Sequence, residues 1–225
     1  MDITDPDAVS KGVQLGLDKF GRIDVLINNA GFGMSSAFEE MTDKELRVVM
    51  ETNFFGTANV TRSVIPVMRE QGGGMILSVS SQAGAMGFLG SSAYCSAKFA
   101  VVGLSEALRM ELKPFKIQVS AILPGSFRTD FRDSSSMKRA ENSIAAYDST
   151  AVRDVGRFLT ENNHTQSGDP AKAAKFIYSI VESGELPSRI HIGKGCCEQV
   201  KDHMQEIIDE IDGYIDASSR TDFDE

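Results

Sequence analysis

The sequence predicts an α/β fold, a parallel sheet wound with helices on both faces. Three observations predict it. Helical and strand-like segments alternate along the chain, the strand-like runs are short and largely apolar, and each breaks off at a turn rich in Gly, Ser, Asn or Pro. Strands that are apolar on both sides belong to a sheet buried on both faces.

The elements follow in order. Asp5 and Pro6 open a first helix, as an N-cap followed by proline does, and Gly21 closes it. Ile23-Asp24-Val25-Leu26-Ile27 reads as a buried strand that ends at Asn28-Asn29-Ala30-Gly31. Thr42 or Asp43 caps a long helix carrying Leu46, Val49, Met50, Phe54, Ala58, Val60, Ile65 and Met68 at three- and four-residue steps. Gly72-Gly73-Gly74 is a turn. Met75 to Ser80 is the next strand, followed by a glycine-bearing loop and a helix from about Ser92 to Leu112, with Pro114 marking its end. Ile117 to Leu123 is a third strand, and Pro124-Gly125 turns the chain out of it. Residues 126–168 are polar and are expected to form a long helical or mobile insertion. Asp169-Pro170 starts another helix, Arg189 to Ile192 forms a last strand, and Glu198 to about Ile215 is an amphipathic acidic helix whose end, Ser218 to Glu225, is expected to fray.

Composition narrows the function. With 23 Lys and Arg against 32 Asp and Glu, the chain carries a formal charge of -9. That leaves no basic surplus for a nucleic acid backbone or an anionic membrane surface, and neither is expected as a partner. Cys95, Cys196 and Cys197 lack the spacing of a disulfide framework or a zinc site. His164, His191 and His203 share no ligand spacing either, so they read as surface or strand residues and no metal is expected. No apolar run approaches the roughly 20 residues of a membrane span, and the start has no signal-peptide character. A cytoplasmic protein of one domain, residues 1–225, is expected.

Chemistry concentrates in the middle of the chain. Tyr94 and Lys98 stand four residues apart at the start of a helix, on one face, where an ammonium favours a phenolate. Tyrosine needs such help to act as an acid/base, since its unperturbed pKa is about 10. Ser80 and Ser81 close a strand thirteen residues earlier; they either serve that site or simply end the strand.

With Asn28-Asn29-Ala30-Gly31, Asn53 in Asn53-Phe54-Phe55-Gly56, and Pro124-Gly125 followed by Thr129, this set resembles, in order and spacing, the short-chain dehydrogenase/reductase family. The stretch Pro124 to Phe131 is similar to classical members of 17β-hydroxysteroid-dehydrogenase-like type. The resemblance implies a Rossmann-like doubly wound sheet and an NAD- or NADP-dependent oxidoreductase interconverting a secondary alcohol and a ketone. It implies Tyr94 as general acid/base, Lys98 lowering its pKa and binding the nicotinamide ribose, and Ser81 holding the substrate oxygen. Asn53 would position a water in a proton relay reaching Lys98. Asn28, Ala30 and Gly31 would line the adenosine side of the cofactor cleft, Pro124, Gly125 and Thr129 would flank the nicotinamide, and residues 126–168 would form a substrate lid. It further implies a homodimer or homotetramer paired through the helices at about 45–70 and 92–112.

The chain departs from the family at its start. The glycine-rich turn and helix N-terminus that receive the pyrophosphate are not among these residues. Gly31-Phe32-Gly33-Met34-Ser35-Ser36 imitates that turn but has serine where the third glycine belongs, and reads instead as a substrate-side loop. Asp2-Ile3-Thr4-Asp5 resembles the family's Asp-x-Thr-Asp, which places Asp2 near adenine. We therefore expect an amino-terminally incomplete chain lacking the first βα units, with the strand at 23–27 as an unpaired apolar edge. A catalytically inactive fragment, or a non-enzymatic binding or assembly protein of the same fold, is the alternative function.

Overall fold

The computed structural model describes residues 1–223. Its main sheet has four parallel strands in the order β1 (Val25–Asn28), β3 (Gly74–Val79), β4 (Ile117–Pro124) and β6 (Arg189–Ile192). A second, two-stranded sheet pairs β2 (Gly33–Met34) in parallel with β5 (Met137–Lys138). The helices are α1 (Pro6–Phe20), α2 (Asp43–Met50), α3 (Thr57–Glu70), α4 (Ser92–Glu111), α5 (Ala151–Glu161), α6 (Pro170–Glu182) and α7 (Cys196–Ser218).

Period-two alternation sorts the sheet residues between two cores. Ile76, Val119, Ala121 and Leu123 face α3 and α4, packing on Val64, Met68, Val102 and Leu112. Leu77 and Ile122 face the other way, onto Ile177, Ile180 and Val181 of α6. The doubly wound α/β class expected from the sequence is the fold observed.

Cap chemistry sets several boundaries as anticipated. Asp5 accepts from the backbone N–H groups of Asp7 and Ala8, and Gly21 closes α1 at φ 74°, a left-handed conformation that glycine adopts without a steric penalty. Thr42 and Glu45 exchange reciprocal bonds at the start of α2. Asp169 caps α6 in the same way as Asp5.

Four details differ from expectation. The first strand is Val25–Asn28, displaced toward its turn. The long helix from 43 is broken by a π-helical turn at Glu51–Gly56. Residues 126–168 are neither one helix nor shapeless: they hold 3-10 turns at Asp130–Arg132 and Ala145–Tyr147, strand β5, and helix α5. At the end of the chain helical turns continue through Ser219–Thr221 rather than fraying from Ser218. The last two residues of that expectation, 224 and 225, lie outside the described residues.

Strand β1 is an edge among the described residues. Val25 and Ile27 share the sheet face of Leu77 and Ile122 yet are 37% and 51% exposed, because α6 does not reach them. No described helix is long and apolar enough to cross a membrane.

Candidate active site

The site begins with the π turn, and Asn53 sits at its centre. Its side chain is fully buried, and Nδ2 donates to the carbonyl oxygen of Val49 at 3.0 Å, the acceptor that the Asn53 backbone N–H would take in an unbroken helix. On the other side the Thr57 hydroxyl donates to the Asn53 carbonyl oxygen at 3.0 Å. Side chains thus replace ladder bonds, and the widened turn aims Asn53 at the end of β1. There Nδ2 also donates to the Phe32 carbonyl at 3.0 Å and Oδ1 accepts from the Phe32 N–H at 3.3 Å.

Gly31 lies directly against this group. A Cβ added there would stand 2.5 Å from Asn53 Oδ1 and 3.4 Å from Lys98 Nζ, so the turn after β1 has no room for a side chain. One small volume therefore gathers Gly31, Asn53 and Lys98.

The two serines after β3 separate cleanly. Ser80 is buried and its hydroxyl donates to the Lys98 carbonyl oxygen at 2.8 Å, which ties β3 to α4. Ser81 is half-buried, and its oxygen accepts from the Ala83 N–H at 3.1 Å while its hydrogen-bonding influence reaches the Tyr94 phenol. Ser80 fixes the frame and Ser81 faces the phenol.

Tyr94 and Lys98 share one face of α4, with Nζ 5.6 Å from the ring centroid. Lys98 Nζ donates to the Val79 carbonyl at 2.9 Å, leaving two of its three donors unspent. Burial pulls the Lys98 ammonium from 10.5 down to about 8 and pushes the Tyr94 phenol well above its ordinary value, with Ser81 opposing the latter shift. The phenol is thus held neutral and protonated beside a cation, and the expected lowering of its pKa by Lys98 is not seen because burial dominates.

The residues anticipated for cofactor binding are less uniform. Asn28 spends both amide hydrogens on Thr61 Oγ1 at 2.9 Å and Ser78 Oγ at 3.1 Å, so its amide cross-ties β1, β3 and α3. Ala30 is exposed beside it. Asp2 is exposed and accepts from the Thr4 N–H and hydroxyl at 2.9 and 2.8 Å. Gly125 follows β4, donates to the Ile192 carbonyl at 2.8 Å, and stands so close to α7 that a Cβ there would meet Cys196 Cβ at 3.1 Å. Pro124 is half-buried at the strand end, and Thr129 is exposed, capping the 3-10 turn that carries Phe131.

Residues of the 126–168 segment pack against the site. Gly33-Met34, expected in a loop, instead forms β2 and pairs with β5 of that segment. Met137 and Phe131 crowd the Cα of Gly33, and the Phe131 ring lies 5.8 Å from that of Tyr94 at 51°. Farther along, a cavity of about 280 Å³ lies between Ser35, Ser36, Arg139, Asn142 and Arg153.

Sequence reasoning missed Glu40, Arg153 and Phe131. Glu40 is fully buried and paired bidentately with Arg153, which holds its carboxyl at about 2. The two stand 113 residues apart, and no local pattern announces such a pair. Nor does spacing announce Asp130, Asp133 and His164, whose potential ligand atoms lie within 4.8 Å of one another on an open surface.

A parallel sheet with an asparagine, serine, tyrosine and lysine gathered at the carboxyl ends of its strands defines a class, and comparison gives it a name. Residues 1–140 match the family model of the short chain dehydrogenases, and the chain belongs to that family of oxidoreductases. It is 36% identical over 193 residues to a 3-ketodihydrosphingosine reductase of Bacteroides thetaiotaomicron, covering 86% of this chain and 71% of that protein. A short-chain dehydrogenase from Streptomyces avermitilis superposes with a TM-score of 0.89 at 36% identity, over 99% of this chain and 80% of that one. ElxO with NADP bound superposes with a TM-score of 0.69 at 25% identity, over 88% and 77% of the two chains.

Proposed function

We propose that this chain is an NAD(P)-dependent oxidoreductase that interconverts a secondary alcohol and a ketone, with Tyr94 as general acid/base. The observation that carries the reading is the neutral, half-buried Tyr94 phenol between the Ser81 hydroxyl and the Lys98 ammonium. The residues present fit the nicotinamide-ribose half of a cofactor. Lys98 has unspent donors, and the bare Cα of Gly31 leaves the surface beside it free of a side chain. Pro124, Gly125 and Thr129 border the same cleft in this reading.

A bound nicotinamide supplies or accepts the hydride. In ketone reduction the Tyr94 hydroxyl gives its proton to the carbonyl oxygen while the carbonyl carbon gains the hydride, so a ketone becomes an alcohol with the charge balanced. Ser81 donates to the same oxygen and orients it. Lys98 stabilises the phenolate that forms, and its low pKa lets a proton return to Tyr94 near neutral pH. Asn53 holds the Phe32 backbone and the helix break, which positions any water between itself and Lys98. The 126–168 segment acts as substrate lid, and the helical stretches at about 45–70 and 92–112 form the subunit interface of a dimer or tetramer.

One named relative reduces a 3-keto sphingoid base, so 3-ketodihydrosphingosine is the first substrate to test. The assay follows NADPH and NADH consumption with that ketone and a panel of cyclic and aliphatic ketones. Turnover is expected, and Tyr94→Phe should lower it about a hundredfold or more with the fold retained. Undiminished turnover in that variant refutes the assignment. The exposed apolar edge at Val25 and Ile27 favours a second reading, a catalytically inactive or assembly protein of the same fold. It predicts no saturable change in NADPH or NADH fluorescence on titration.

A further inference from the structure

We propose that Glu40 is the positioning residue that sets the 126–168 segment over Tyr94. The inference rests on the reading of Tyr94 as the reacting acid/base. Glu40 touches neither the Tyr94 ring nor Lys98. It works through the segment that covers them.

A fully buried carboxylate is costly unless every lone pair is used. Here the Glu40 carboxylate accepts from the N–H of Ala37 at 3.1 Å, from the N–H of Ile144 at 2.8 Å, and from both terminal nitrogens of Arg153. Its carbonyl oxygen accepts from the Asn142 amide at 3.3 Å. Ala37 belongs to the shelf that follows β2; the other three partners belong to the covering segment. Arg153 itself continues to Ser143 Oγ at 2.8 Å and Asp148 at 3.3 Å, so one carboxylate gathers residues 142–153.

The covering segment has few apolar ties to the rest of the chain. It contributes Phe127 and Ala140, both only partly buried, to the apolar cores. It is also tied to the shelf and to α2 by the two-residue β2–β5 pairing, the Ala140 N–H to Ser36 Oγ at 2.8 Å, the Glu141 N–H to Glu45 at 2.9 Å and a side-chain hydrogen bond between Tyr147 and Glu39. These anchors are spread along the segment. At one end Phe131 and Met137 sit on Gly33 with the Phe131 ring against Tyr94; at the other, Ile144 and Arg153 sit on Glu40. On the shelf Gly33 to Ala37 are all buried, and Glu40 is buried again beyond the exposed Phe38 and Glu39. Where Glu40 holds the far end, Phe131 is held at the near end, and with it the depth and apolar character of the space above the phenol.

The chain has no tryptophan, so Phe131→Trp creates a single emitter at the ring that faces Tyr94. In that background Glu40→Gln should shift the indole emission to the red and raise its acrylamide quenching constant about twofold. With Phe131 intact, Glu40→Gln should raise KM for 3-ketodihydrosphingosine about tenfold while kcat changes much less. Amide exchange should quicken at residues 131–137 as well as at 142–144. An unmoved indole, with faster exchange confined to 142–144, overturns the proposal and leaves Glu40 a local stitch. Should Glu40→Gln fail to fold, Arg153→Gln cuts the same pair from its partly exposed side, and an unmoved indole there overturns it equally. An indole that responds in a protein that turns over no ketone retires the Tyr94 reading and keeps Glu40 as the anchor of the segment.

Discussion

The floor of the site and the segment packed against it, its proposed cover, are held by different chemistry. In the floor, the bonds that set Ser80, Lys98 and Asn53 join a buried side chain to a backbone atom: Ser80 to the Lys98 carbonyl, Lys98 to the Val79 carbonyl, Asn53 to Phe32 and Val49. Beside the short β2–β5 pairing, the cover is held by carboxylates and an arginine reaching across more than ninety residues, Glu40 to Arg153 and Glu45 to the Glu141 N–H. Backbone-directed bonds have one geometry and leave an unpaired buried group when broken. Charged anchors can be released by protonating the carboxylate or by re-solvating the partly exposed Arg153. The floor is therefore expected to be intolerant of substitution, and the cover to be adjustable.

The largest effect should come from Gly84, where the floor has no slack. A Cβ there would collide with Ser80 Oγ and stand 2.7 Å from the Lys98 carbonyl oxygen, a backbone atom that cannot swing aside. Gly84→Val should cost about 3 kcal/mol or more and take cofactor binding with it. Denaturant unfolding that places the variant within about 0.5 kcal/mol of the parent would mean that the floor is softer than its bonds imply.

Asn53→Ala comes next. It strips partners from Phe32 and Val49 and removes the reason for the π turn, and should cost about 2 kcal/mol. Helical hydrogen bonding through residues 49–57 should become regular, with slower amide exchange there. A stable variant that keeps the widened turn would show that Asn53 follows the break rather than making it.

The same contrast governs what the sequence made legible. Asp5, Pro6 and Gly21 announce α1 because caps act within four residues of the helix end. Tyr94 and Lys98 are legible because a four-residue step on a helix fixes a shared face, and the apolar alternation of Ile117 to Leu123 fixes both sheet faces. The π turn was not, because it depends on Asn53 meeting Phe32 across the site. Nor was the division of labour between Ser80 and Ser81, which depends on where α4 lies. Glu40 reads as one acid in Phe38-Glu39-Glu40 until the fold brings Arg153 to it. The polar character of 126–168 was visible and its order was not, since its ties are single long-range bonds with no period.

The smallest effects separate floor and cover by pH. Glu40 has its pKa lowered from 4.5 to about 2, first by the Arg153 hydrogen bonds and then by the Ile144 N–H. Between those values the unfolded chain binds a proton that the folded chain does not, so the contribution of Glu40 is present above 4.5 and is lost as pH falls toward 2. Lys98 is shifted from 10.5 to about 8 by burial, so between 8 and 10.5 the unfolded chain again holds the extra proton, and stability gains as pH rises through that window. The acid change should therefore appear first in the cover, read by proteolysis or exchange at 131–153, and should vanish in Glu40→Gln. The alkaline change should appear in global unfolding and vanish in Lys98→Met. An acid transition that persists in Glu40→Gln would place the sensitive carboxylate elsewhere and remove the distinction between an adjustable cover and a fixed floor.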